Sequence, residues 1–148
     1  MSGTTRASVI ATETVPAALR EVALDARIGA SDRLKELRSA RRPDNGAPER
    51  TYRIMYGLGP ARGDLITCDY FVCELTIELY YALTPGAEAR SADDAERFWW
   101  VLETLQQRND GIQACEPRWL GLEETQHNLV ARISLVVAYR LDPTVITN

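Results

Sequence analysis

Two glutamates on one predicted strand, Glu74 and Glu78, are the first residues whose types and spacing could support a reaction. Paired carboxylates serve as acid and base, or acid and nucleophile, in glycoside hydrolysis, where they stand about 5 to 9.5 Å apart. Residues four positions apart on a strand lie roughly 13 Å from each other at the usual rise. This spacing is too large for such a pair, so we interpret both glutamates as solvated surface residues.

A glycine-rich stretch at residues 57–63 (GLGPARG) suggests a phosphate cradle only superficially. Its spacing differs from a dinucleotide-binding fingerprint, Pro60 interrupts it, and no helical pattern follows. We predict a hairpin loop there. Ser134, Glu123 and Glu124 have no catalytic partner in the pattern and are also interpreted as surface residues.

Three cysteines and one histidine are the potential ligands for a soft metal ion. Cys68 and Cys73 have opposite parity in one strand, so their side chains point to opposite faces. Cys115 is distant in sequence, and His127 lies in a predicted turn. We expect no metal site and no cofactor, interpret the cysteines as small apolar residues, and predict that the protein is not an enzyme.

The elements that must position these residues are two long alternating stretches, 67–81 (TCDYFVCELTIELYY) and 128–141 (NLVARISLVVAYRL). Strict alternation predicts strands with one apolar face. The polar face of the first stretch carries Glu74 and Glu78, and that of the second carries Arg132 and Arg140. We therefore predict antiparallel neighbours joined by cross-strand ion pairs, and we expect Glu74 to pair with Arg132.

The remaining pattern predicts one α+β domain over residues 12–142, with a flexible arm at 1–11 and a tail at 143–148. Its fold is a small antiparallel, partly mixed sheet with helices on one face, in the order α-β-β-α-β-β. Thr12 to Ile28 has helical periodicity, and a short helical continuation follows Ser31. The other predicted elements are a strand at 51–58 broken by the glycines, a helix at 92–108 capped by Ser91 and Asp94, and an irregular, edge or bulged strand at 112–120 containing Pro117.

Trp99 and Trp100 stand together on the second predicted helix. Exposed, they would form a stacking platform for a base or a sugar; at helical spacing, such residues usually belong to the core. We predict that they are core residues.

Charge is uneven along the chain, which has a net charge of −4. Residues 31–53 contain seven Lys and Arg against four Asp and Glu, whereas residues 54–148 contain seven against fourteen. This acidic balance argues against wrapping nucleic acid. The basic segment is a solvated surface or docks on an acidic partner, and the apolar Val145 and Ile146 are candidates for packing on another subunit. The predicted interface residues are Arg33, Lys35, Arg38, Arg41, Arg42, Glu74, Glu78, Arg132, Arg140, Val145 and Ile146.

No apolar run approaches the roughly 18 residues of a membrane span, and the first residues lack a secretory core. We expect synthesis in the cytoplasm and no membrane partner.

The order of elements resembles the tail terminator proteins of long-tailed bacteriophages and related gene transfer particles, also called tail-completion or minor tail proteins. The resemblance covers most of the chain. It rests on the N-terminal helix, the long strand CDYFVCELTIELYYAL, the helix SADDAERFWWVLETL and the final strand RISLVVAYRL. The arm at 1–11 and the basic segment are longer than this family leads us to expect.

The resemblance implies a homo-hexameric ring that caps the head-proximal end of the tail tube, stops its polymerisation and meets the head connector. DNA would only pass through the channel. The protein would be located in the host cytoplasm during assembly and then in the virion. The alternatives are another ring of the neck or tail, such as a head-completion or tube-like protein, and an unrelated cytoplasmic domain that binds a ligand or peptide.

Overall fold

The computed structural model describes residues 4–23, 35–37, 50–62 and 70–142. Over these residues the fold is α+β: five strands form one mixed sheet, with helices packed against it. The elements are α1 (Ala7–Val9), a π-helical turn (Ile10–Thr14), α2 (Val15–Ala23), β1 (Lys35–Glu36), β2 (Thr51–Arg62), β3 (Phe71–Ala82), α3 (Ala87–Glu103), α4 (Leu105–Arg108), β4 (Ile112–Glu124) and β5 (Asn128–Tyr139).

The sheet has the strand order β1-β2-β3-β5-β4. All pairs are antiparallel except the short β1, which runs parallel to β2. The two long alternating stretches are adjacent, as predicted, and pair without interruption from Phe71 opposite Tyr139 to Ala82 opposite Asn128. The predicted order of elements, α-β-β-α-β-β, is confirmed, and the short strand β1 is an addition to it.

One face of the sheet holds the core, as the alternation predicts. The odd-numbered side chains of β3 and β5 pack with Ile10, Leu19, Phe98 and Leu102 from the helices. Tyr52 of β2 meets Phe98 of α3 edge to face, with ring centroids 5.1 Å apart and an interplanar angle of 84°. Aromatic pairs favour this geometry, which joins α3 to the sheet.

The N-terminal arm predicted for residues 1–11 is wrong over the part that the structure describes. Helix begins at Ala7, and Ile10 is fully buried. The Thr5 amide donates to the Arg140 carbonyl oxygen at 2.8 Å, and the Asp142 amide donates to Thr5 at the same distance. These hydrogen bonds form a short parallel bridge between Thr5 and Leu141, just after β5. The bridge holds the start of the chain against the domain.

Pro16 is the second residue of α2, but helical turns precede it without a break. Proline has no amide hydrogen and its ring crowds the preceding turn. The turn before it, Ile10–Thr14, is π-helical, which is a common way to accommodate a break in the α-helical ladder. The predicted helix end at 24–28 lies outside the described residues.

Three other predicted boundaries are wrong. Lys35 lies in β1 and not in a helical continuation. β2 continues through the glycines to Arg62, because register shifts after Tyr56 and after Leu58 absorb the irregular segment. Helix α3 begins at Ala87 after Gly86, whose φ of 89° suits glycine. The predicted capping role of Ser91 is therefore wrong, since its hydroxyl donates to the Glu88 carbonyl within the helix.

Candidate assembly surface

Strand β4 forms one edge of the sheet, as Pro117 predicts, and among the described residues no strand pairs with its outer side. It is 13 residues long. Pro117 removes one backbone donor, which is a usual protection of an edge. Beyond Pro117 the strand exposes three large apolar side chains among charged ones: the accessible fractions are 44% for Trp119, 56% for Leu120 and 43% for Leu122. A long apolar edge of this kind is a place where another chain can pair.

A groove of about 460 Å³ runs between this edge and α3. It is lined by Ala92, Ala95, Glu96, Trp99, Trp100 and Trp119. The spacing of the α3 residues places them along one side of the helix, and the small alanines leave space between the indoles. Trp119 comes from the facing strand, where it pairs opposite the core residue Ile133. The groove is therefore formed where the sheet ends beside the helix. We name it the tryptophan groove.

The tryptophan prediction is wrong for Trp100, which is 65% exposed, while Trp99 is half-buried. The core stripe of α3 instead consists of Ala95, Phe98, Val101 and Leu102. Trp99 is held in place by its indole N–H, which donates to Glu103 Oε1 at 2.7 Å. Helical periodicity alone could not show whether Trp100 is buried. Its burial depends on how far the sheet extends beneath the helix.

Carboxylates outnumber basic groups around the tryptophan groove. The exposed side chains of α3 include Glu88, Asp93, Glu96 and Glu103 against Arg90 and Arg97. Glu96 lines the groove and Glu103 holds Trp99. On β4 the Arg118 guanidinium pairs with Glu116 at 3.3 Å. This surface combines aromatic faces with negative charge.

On the sheet face opposite the core, Glu78 is the centre of a polar network. Its side chain is buried, which corrects the prediction of a solvated residue. Arg53 and the Tyr80 hydroxyl donate to Glu78 Oε1 at 2.8 and 2.7 Å, and Arg132 Nε donates to Oε2 at 2.7 Å. Burial alone raises the pKa of Glu78, but hydrogen bonds from Tyr80, Arg132 and Arg53 and the charge of Arg53 outweigh it, so the pKa lies below its usual value.

The predicted cross-strand ion pairing therefore exists, but its partner is wrong. Arg132 stands directly opposite Glu78, whereas Glu74 stands opposite Val136. Glu74 Oε1 accepts a hydrogen bond of 2.8 Å from the Ser134 hydroxyl, so Ser134 is also not a solvated residue. The Nη2 atom of Arg132 contacts the Glu123 carboxylate of β4. These contacts connect β2, β3, β5 and β4 across the sheet.

A second buried carboxylate is Asp94, which lies inside α3 and not in the predicted helix cap. Arg50 donates to both of its oxygens, at 2.8 and 3.3 Å, and the Tyr81 hydroxyl donates to Oδ2 at 2.8 Å. Burial, and then the negative charge of Asp94, raise the pKa of Tyr81 far above its usual value. A signal existed, because Asp94 lies within the apolar stripe between Ser91 and Phe98.

The structure brings together only some of the predicted interface residues. Lys35 is exposed on β1, at the edge opposite β4. Arg140 is half-buried beside the N-terminal bridge, where its amide donates to the Gly111 carbonyl. The predictions for Arg33, Arg38, Arg41, Arg42, Val145 and Ile146 lie outside the described residues.

Burial raises the pKa of the Cys73 thiol to about 11 and that of Cys115 to about 12. Both pack in or against the core, which confirms their interpretation as apolar residues. Cys68 lies outside the described residues. Within the described part of the chain, no three His, Cys, Asp or Glu side chains come together as a metal site.

No known protein family matches this sequence, and no curated protein matches it either. Over the described ranges, no helix has the length and apolar character needed to cross a membrane.

Proposed function

We propose that this protein is a structural subunit of a tailed bacteriophage or a related gene transfer particle. Copies of the chain form a homo-hexameric ring at the head-proximal end of the tail tube, where the ring ends tube polymerisation and joins the tail to the head connector. The order of elements supports this proposal through its resemblance to tail terminators. The protein acts by assembly and not by catalysis.

The observation that carries the proposal is the exposed apolar edge of β4 beside the tryptophan groove. Contiguous apolar surface of this kind marks interaction sites in soluble proteins. The two edges of the sheet differ, since the long β4 exposes Trp119, Leu120 and Leu122 whereas the short β1 carries the exposed Lys35. Contacts between unlike surfaces are heterologous, and they close into a ring when the rotation between copies is correct.

The net charge of −4 fits a DNA channel. Acidic walls let a duplex pass without binding, because they repel its phosphates. The partners under this proposal are further copies of the chain, the tail tube protein and the head-completion or connector protein. The ring is located in the host cytoplasm during assembly and at the head-proximal end of the tail in the virion.

Multi-angle light scattering on the purified protein, followed by electron microscopy of particles, tests the proposal. We expect a closed oligomer and one ring per tail, at the head-proximal end. A protein that stays monomeric at high concentration and is absent from every tail would overturn it. The variant that probes this surface is Trp100→Ala, which we expect to weaken assembly while the circular dichroism spectrum stays unchanged, because Trp100 is exposed.

The same experiments distinguish the proposed function from two alternatives, another ring of the neck or tail and a ligand-binding domain. A tube-like protein would repeat along the tail, and a head-completion protein would be located on the head side of the joint. The tryptophan groove, with its volume of about 460 Å³ and its carboxylate, also favours a domain that binds a ligand or peptide. In that case the protein would remain a monomer and bind its ligand in the groove.

A further inference from the structure

We propose that the tryptophan groove binds an arginine side chain of a separate, basic protein. This inference names the chemistry of one partner at the assembly surface, and it rests on the proposed function only for the kind of complex in which that partner is found. Trp99, Trp100 and Trp119 are the three tryptophans of the chain, and all of them line the groove. A cation above an indole face is attracted by the ring quadrupole, and tryptophan is the strongest aromatic partner.

The carboxylates of α3 are concentrated on the groove side. Glu88, Glu96 and Glu103 are exposed, and their spacings of eight and seven residues place them along one side of the helix. No Lys or Arg stands three or four positions from any of them, the distance at which side chains pair on a helix. Both arginines of α3 stand at those distances from Asp93 instead. The groove side therefore carries negative charge that the helix itself does not neutralise.

The combination of indoles and a carboxylate favours a guanidinium. Glu96 lines the groove together with the tryptophans. A guanidinium stacks on aromatic rings and pairs with carboxylates through its planar fork, whereas the compact ammonium of lysine is more strongly hydrated and does not stack in this way. The Trp99 indole N–H already donates to Glu103 Oε1 at 2.7 Å, which fixes one aromatic wall. Nucleotides would also stack, but the same acids repel their phosphates.

Two described arginines near the groove are directed away from it. Arg50 binds α3 through Asp94, roughly 140° around the helix from Trp99. Arg118 precedes Trp119 on β4, so its side chain points to the opposite face of the sheet, where it pairs with a glutamate. A second copy is also a poor match, because the chain has a net charge of −4 and like charges oppose contact. The charge of the groove is complementary to a basic partner.

The surface next to the groove indicates which residues flank this arginine. On β4, Leu120 and Leu122 follow Trp119 and are 56% and 43% exposed. Apolar side chains beside the arginine would cover these leucines, and the burial of apolar surface stabilises a contact. The groove volume of about 460 Å³ lies within the range of ligand sites, about 300 to 1,000 Å³. We therefore expect the partner to present one arginine between apolar residues.

Fluorescence titration of the full chain with short peptides tests the inference. The intrinsic emission reports on the groove, because the groove contains every tryptophan of the chain. The probe is acetyl-Gly-Leu-Arg-Leu-Gly-amide, and its matched control carries citrulline, which has the shape of arginine without the charge. We expect the arginine peptide to change the emission with a dissociation constant on the order of 1 mM, and the citrulline peptide to bind about tenfold more weakly.

Substitutions in the groove identify the groups that bind. Glu96→Gln should weaken binding of the arginine peptide about fivefold and leave the citrulline peptide unaffected, because only the charged group uses the carboxylate. Asp93→Asn is the matched control, since it removes an exposed acid of α3 outside the groove lining and should change neither affinity. Trp100→Ala should weaken both peptides, as measured by NMR of the peptide because this variant lacks one tryptophan. Circular dichroism confirms that each variant is folded.

The contrary outcomes overturn the inference in recognisable ways. Equal binding of the two peptides, or an unchanged affinity in Glu96→Gln, shows that the groove does not recognise a cation. Emission that changes on dilution of the protein alone, with no response to either peptide, shows that a second copy occupies the groove. Emission that responds to neither dilution nor peptide shows that the groove is closed to partners.

Failure of the groove inference and failure of the proposed function are separate results. In each outcome above, the groove inference fails, while a ring observed at the head-proximal end of the tail keeps the proposed function. A protein that binds the arginine peptide selectively but is absent from every tail keeps the groove site and loses the proposed function.

Discussion

Glu78 and Arg132 face each other directly across β3 and β5, and Arg132 Nε donates a 2.7 Å hydrogen bond to Glu78 Oε2. Only 2% of the Glu78 side chain is accessible, against 25% of the Arg132 side chain. A buried carboxylate needs such compensation, because its charge is costly in a poorly solvated place, and Arg53 supplies a second counterion at 2.7 Å.

The first prediction concerns this pair. Arg132→Gln should lower the free energy of unfolding by about 2 kcal/mol, since it removes one charged hydrogen bond from the buried Glu78 carboxylate while Arg53 remains as a counterion. Combined with Glu78→Gln, it should show a coupling energy of about 2 kcal/mol in a double-mutant cycle measured by urea unfolding. Glu74→Gln is the matched control and should add to Arg132→Gln without coupling, because Glu74 bonds Ser134 instead. Rescue of Arg132→Glu by Glu74→Arg would contradict the observed register.

The second prediction concerns acid stability. The pKa of Glu78 is lower in the folded protein than in the unfolded chain. The unfolded chain therefore takes up a proton first as the pH falls, so the stabilisation is complete above the unfolded pKa of about 4.3 and is lost as the pH falls through the folded pKa. Below about pH 4, the urea concentration at the midpoint of unfolding should decrease with falling pH. We expect this decrease to be steeper in the wild-type protein than in Glu78→Gln. Parallel pH profiles for the two proteins would refute this role.

The third prediction compares two buried tyrosines. Tyr81→Phe should lower the free energy of unfolding by about 1 kcal/mol, because it removes the hydrogen bond to Asp94. The Tyr52 hydroxyl is buried and makes no hydrogen bond within the described residues. Tyr52→Phe should therefore be neutral or slightly stabilising. Thermal unfolding of both variants tests the contrast, and equal destabilisation would show that the Asp94 contact is not the cause.

The fourth prediction concerns the thiols. A thiolate is the reactive form of cysteine, and burial raises the pKa of Cys73 to about 11 and of Cys115 to about 12. In a Cys68→Ser background, we expect iodoacetamide at pH 8 to modify neither residue in the folded protein and both in urea. Mass spectrometry of digested samples reads out each site. Rapid modification of either cysteine without urea would contradict the observed packing.

Local pattern determined much of the fold. Alternation over β3 and β5 identified two strands with one apolar face, and the opposite charges on their polar faces indicated that they are neighbours. Pro117 marked β4 as an edge strand. These features depend on side-chain types a few residues apart, which is the range over which strand periodicity operates.

Tertiary structure decided which residues meet. The pairing of Arg132 with Glu78 instead of Glu74 follows from the register of β3 and β5, and register depends on turns and packing at a distance. Ile10 is buried because the N-terminal helical segment packs against the core face of the sheet. The exposure of Trp100 required the sheet to end at β4 beside α3. Periodicity specifies the face of an element, but only the assembled sheet determines what that face contacts.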